Sequence, residues 1–147
     1  MLLALSQVAA SNIPHMVSIY FRAMQDPFAR NAFPDTPTVR QWWIKRLTEE
    51  LEDSTTLFLK IVDDELNEII AWAEWNRPSY NRDENDEDRD EYDEWPDGAD
   101  KALCDDFCGG LARTQERVMG KVPHWCKPPF LPFPFPQYLR LLLLTLQ

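Results

Sequence analysis

The chain has 147 residues, a mass of 17.3 kDa and 44% hydrophobic residues, which sets a limit of one domain with a core of moderate size. A formal net charge of -10 excludes a general nucleic-acid binder, because neutralising phosphates needs a basic surface. Most of that charge is local: the block from Asp83 to Glu94 carries nine acidic residues and one arginine, so the rest of the chain is nearly neutral.

Residues 2–9 form an apolar run with some alternation and predict a first strand; without a basic leader region they do not read as a secretory signal. Ile13, Met16, Val17, Tyr20, Phe21 and Met24 then recur at helical spacing, with Pro14 in the first turn and Ser11 or Asn12 as the cap. The stretch QDPFARNAFPDTP, broken by Pro27 and Pro34, predicts a loop. Thr36-Pro37 starts a second helix, in which Val39, Trp43, Leu47 and Leu51 mark the buried stripe.

Residues 55–63 are rich in β-branched and aromatic side chains, and 69–75 read as their antiparallel hairpin partner across DELNE. Residues 81–98 are expected to form an acidic, mobile loop that offers little to bury. Another helix is expected from about Ala99 to Gly120, with Leu103, Phe107, Leu111, Val118 and Met119 on its apolar face and a bend at Gly109-Gly110. Val122 to Trp125 look like a further strand beginning. The order β-α-α-β-β-(acidic loop)-α predicts an α/β (α+β) domain over residues 1–125, followed by a Pro/Leu-rich tail over 126–147.

The chemistry-bearing residues are sparse. Cys104, Cys108, His124 and Cys126 could be drawn as a zinc site, but the spacing lacks a short Cys-x-x-Cys knuckle and core packing explains the cysteines better. Asp86, Asp88 and Asp90 alternate as in a calcium loop, yet Glu91 and Asp97 stand where glycine and glutamate are required. Phosphate-binding, zinc-protease and hydrolase motifs do not occur. Trp42, Trp43, Trp72 and Trp75 are expected in the core, and His15 on the surface. Pro129 to Pro132 makes one Pro-x-x-Pro, a groove-ligand pattern common by chance. The leucines from Tyr138 to Leu146 span nine residues, too few to cross a membrane. Three cysteines suit a reducing compartment, so the expected location is the cytoplasm or nucleus.

Several phrases in this order carry a family resemblance: SNIPHMVSIYFRAM, TPTVRQWWIKRL, LFLKIVDDELNEIIAWAEW, WPDGADKALCDDFCGGLARTQERVMG and VPHW. Over about residues 1–125 the chain resembles the N-terminal half of GNAT-type N-acetyltransferases, in the branch common in fungi. The resemblance implies acetyl transfer from acetyl-CoA to an amine acceptor. In that family the cofactor sits between the fourth and fifth strands, and a Gln/Arg-x-x-Gly-x-Gly/Ala loop holds its pyrophosphate. By position, the resemblance implies Phe28, Phe33 and Trp75 as acceptor-side residues; it assigns no catalytic base.

The departure comes where the fourth strand would run. Five of the nine residues 128–136 are proline and no glycine follows Gly120, so neither a central strand nor a phosphate loop is expected. The expectation is therefore a truncated domain that binds no acetyl-CoA by itself. A prematurely ended frame, a retained intron or a splice form would each produce such a tail. The alternative is a non-catalytic interaction protein that uses the open sheet edge, including for self-association, or the proline tract.

Overall fold

A computed structural model describes residues 2–78, 94–120 and 122–125. These residues form a mixed α+β fold with a three-stranded antiparallel sheet and four α-helices. The order is β1 (Leu3–Gln7), α1 (Ile13–Ala23), α2 (Pro27–Ala32), α3 (Pro37–Glu52), β2 (Thr56–Asp63), β3 (Glu68–Asn76) and α4 (Lys101–Met119). The sheet order is β1-β2-β3, a meander in which Leu5 faces Ile61 and Phe58 faces Glu74.

The hairpin turn follows from side-chain chemistry. Oδ1 of Asp63 accepts from the Glu65 amide at 3.0 Å, and Asn67 takes the left-handed backbone (φ 52) that asparagine tolerates better than most residues. On β3 the register steps over Ile70, because Ile61 pairs with Ala71 while Val62 pairs with Ile69. This one-residue bulge sits on a strand whose outer edge has no strand partner among the described residues.

Alternation along the strands gives the sheet two unlike faces. Phe58, Lys60, Trp72 and Glu74 point towards the helices. There, Trp72 Nε1 donates to the Met16 carbonyl at 3.0 Å, and Lys60 Nζ donates to Asn12 Oδ1 at 2.7 Å. Helix α1 lies over β3 and α3 over β2. The core includes Ile13, Met16, Val17, Tyr20 and Phe21 of α1 with Val39, Trp43 and Leu47 of α3, as their spacing predicts, joined by Phe33, Phe58, Trp95, Cys104 and Cys108. The other face carries Leu5, Leu57, Leu59, Ile61, Ala73 and Trp75, and no helix among the described residues packs on it.

Four expectations change. Asn12 does not cap α1 with its side chain; Oδ1 accepts from the Ala9 amide at 2.9 Å and closes a short 3₁₀ turn, Ala10–Asn12, ahead of the helix. The predicted loop contains α2, because Asp26 Oδ1 accepts from the Ala29 amide at 3.0 Å and Pro27 occupies the first helical position. α4 runs unbroken through Gly109 and Gly110, but its buried residues are Cys104 and Cys108, while Leu111 and Val118 are exposed. Residues 122–125 form no strand; the Val122 amide donates to the Met119 carbonyl at 3.1 Å and His124 meets Gln115 at 3.0 Å, folding the segment back on α4.

The expected acidic loop falls at 81–93 outside the described residues, as does the tail from Cys126 onward. The loop's final part, however, is ordered into the core. Trp95 is buried, and its Nε1 donates to Asp105 Oδ1 at 2.6 Å. Among the described residues no helix is long and apolar enough to cross a membrane.

Arg40 joins three elements. It holds Asp35 in a two-pronged ion pair (Nη2 to Oδ2 at 3.0 Å), reaches Ser18 Oγ at 3.3 Å, and lies 4.8 Å above the Phe21 ring. The hydrogen bond from Arg40 holds the Asp35 carboxyl below its ordinary range. A carboxyl lowered in the folded state stabilises it above the unfolded pKa of about 3.9, and loses that contribution as pH falls through the folded value. The pair is solvent-exposed, so Asp35→Asn is expected to cost under about 1 kcal/mol at pH 6. Melting curves should therefore differ by a few degrees at pH 6 and draw together as the pH falls below the unfolded pKa and through the folded one.

Candidate functional site

The acceptor-side residues expected from the resemblance do not come together. Phe28 within α2 and Phe33 just after it lie on the helical side, whereas Trp75 lies on the opposite face of the sheet, across from Leu57 and 39% exposed. Position in a strand decides this. Glu74 faces the helices, so its neighbour must face away.

Around Phe33 is a cluster of aromatic rings. Its ring stacks on Trp42 at 5.8 Å and meets Trp43 edge-on at 5.3 Å and Trp95 at 5.8 Å. Phe33 is buried, so it acts as a core side chain between α2, α3 and the lead-in to α4. Phe28 is half-buried and packs on Phe107 of α4, with ring centroids 4.8 Å apart. The two helix ends also satisfy one another: the Ala32 carbonyl at the end of α2 accepts from the Asp100 amide at 3.3 Å and from the Cys104 thiol at 3.5 Å.

Between these side chains is an apolar cavity of about 10 Å³, bordered by Tyr20, Phe28, Phe33, Cys104, Phe107 and Cys108. That is the space of roughly one water molecule. An amine with a carbon chain does not fit that space unless a half-buried wall ring, Phe28 or Phe107, moves. The Tyr20 hydroxyl reaches no hydrogen-bond partner among the described residues. Burial, reinforced by the neighbouring Cys104, raises its pKa well above the ordinary phenol value.

The cysteines have the opposite of a reactive environment. Burial, with Cys108 adding to it, pushes the Cys104 thiol up to about 12. Burial likewise pushes Cys108 up to about 11. Both remain protonated at neutral pH, so neither is a nucleophile or ready metal ligand. Their core placement agrees with the reading from sequence, and His124 lies apart with Gln115 and the Val122 carbonyl. The arrangement can therefore recognise apolar shape, and it presents no side chain poised to move a proton.

Sequence reasoning missed Tyr20, Trp95 and Phe107 as lining or neighbouring groups. Tyr20 and Phe107 were visible as members of apolar helix stripes. Trp95 had only its position after an acidic block to speak for it. No family model matches this chain, and no curated protein matches it at a significant level.

Proposed function

We propose that the chain is the acceptor-side half of a GNAT-type N-acetyltransferase, a domain that transfers an acetyl group from acetyl-CoA to an amine, and that these residues alone do not bind the cofactor. The observation that carries the reading is the one-sided sheet. Three antiparallel strands carry helices on one face, an apolar second face, and an outer β3 edge without a strand partner among the described residues. A sheet with two apolar faces belongs to an architecture with layers on both sides. The element order and the quoted phrases supply the family part of the reading.

The side of the cavity walled by Phe28 and Phe107 is the acceptor approach in this proposal, since these two rings are the half-buried aromatic members of its wall. Trp75 belongs to the face that a cofactor-side layer would cover. Calorimetric titration of the full chain with acetyl-CoA is expected to give no heat of binding; a clear micromolar isotherm would overturn the proposal.

The open β3 edge favours a second reading, an interaction protein that recruits an extended peptide by strand addition. The nucleotide sequence downstream of the Trp125 codon separates the two. A glycine-containing phosphate loop in another frame or exon supports the transferase ancestry, and its absence favours the interaction protein.

A further inference from the structure

The sheet face opposite the helices has no helix packed on it among the described residues. Leu5 is 65% exposed and Trp75 39% exposed on it, with Leu57, Leu59 and Ile61 half-buried between them. We propose that this face is a docking site for the chain's own leucine-rich segment, residues 138–146, which seats against β1, β2 and β3 opposite the helices.

Three observations select this occupant. The first is size. Strands of five, eight and nine residues, about 4.8 Å apart and about 3.4 Å per residue, make a patch of roughly 360 Å². A stable dimer buries about 800 Å² per partner, more than twice that area. One short apolar segment matches the patch, and a second globular copy does not.

The second is chemistry. Residues 138–146 hold six leucines and a single charge, Arg140, against a face whose central positions are leucine, isoleucine and alanine.

The third is reach. From Trp125, the described residue after α4, the twelve residues 126–137 lead to the leucines. Extended chain spans about 3.3 Å per residue, so this link covers about 40 Å. A domain of about 125 residues has a radius of gyration near 14 Å, so the link can pass from the helical side to the bare face. The proposal stands on the face and the segment, and does not depend on the acetyltransferase reading.

The test uses the full chain at tens of micromolar, shown to be monomeric by sedimentation, with labelled isoleucine and leucine methyls. The expected result is a set of nuclear Overhauser contacts from the Ile61 methyl to leucine methyls that disappear in the L142E/L143E variant. That variant should bind a hydrophobic-surface dye several-fold more than wild type while its far-ultraviolet dichroism is retained. No such contacts in the monomer would overturn the proposal, as would wild type binding the dye as strongly as the variant. A dimer with the face filled by its second copy, or a chain that aggregates at this concentration, would equally refute it.

Discussion

Replacing Phe33 with alanine is expected to lower the free energy of unfolding by about 3–5 kcal/mol, read as an earlier midpoint in urea. The ring is buried and contacts three indoles, Trp42, Trp43 and Trp95, which come from two separate parts of the chain. Its loss removes transfer energy and leaves a cavity that stiff indoles cannot readily close. Domains of this kind are stable by only about 5–15 kcal/mol, so the variant loses a large share of the total. Phe33→Leu keeps most of the volume and is expected to cost about 1–2 kcal/mol through the lost ring contacts, which keeps the measurement possible if the alanine variant does not fold. A side chain serving only to contact a substrate would behave otherwise, since surface substitutions stay within about 0.5 kcal/mol. Phe28→Ala, inside α2, gives the comparison with Phe33 just beyond its end: the half-buried Phe28 ring should cost less than Phe33.

The sequence made some of this architecture legible because certain residues have one physical reading. Thr36-Pro37 starts α3, and Thr36 Oγ1 accepts from the Val39 amide at 3.3 Å. The α1 stripe needed only its spacing. Where residues carry two readings, the expectation failed. Pro27 and Pro34 read as loop breakers, although Asp26-Pro27 has the same start signal as Thr36-Pro37. A six-residue helix has too few turns for periodicity to outweigh that impression. Val118 belongs to an apolar stripe by spacing, but spacing does not say whether anything packs on the stripe; in the structure it is 69% exposed.

The candidate site was less legible than the fold because it is made by contacts distant in sequence. Phe33 meets Trp95 and Cys104 meets the Ala32 carbonyl, across 62 and 72 residues. Trp75 shows the converse. Its residue type suggested burial, but the pairing of Glu74 with Phe58 decides that it faces away from the helices. A one-residue error in strand phase moves every side chain to the other face, and neither composition nor order reveals that phase.

Neighbouring residues of β2 are therefore expected to report on different layers. Phe58→Ala removes a buried ring, packed near Trp72 with centroids 6.4 Å apart beneath the helices, and should cost about 3–5 kcal/mol. Leu59 points to the bare face. With residues 138–146 seated there, Leu59→Ala should cost about 2 kcal/mol in the full chain, the low end for a covered leucine. On the L142E/L143E background the same substitution should cost under about 1 kcal/mol, because a leucine already in contact with water has little burial to lose. The difference is a coupling energy of about 1 kcal/mol, within the range found for residues in contact, and urea unfolding of the four chains measures it. Phe58→Ala should show no such coupling, since the sheet separates it from the segment. Equal costs for Leu59→Ala on both backgrounds would mean that the leucines are not what covers β2, and a coupling at Phe58 would mean that the tail variant disturbs the whole fold.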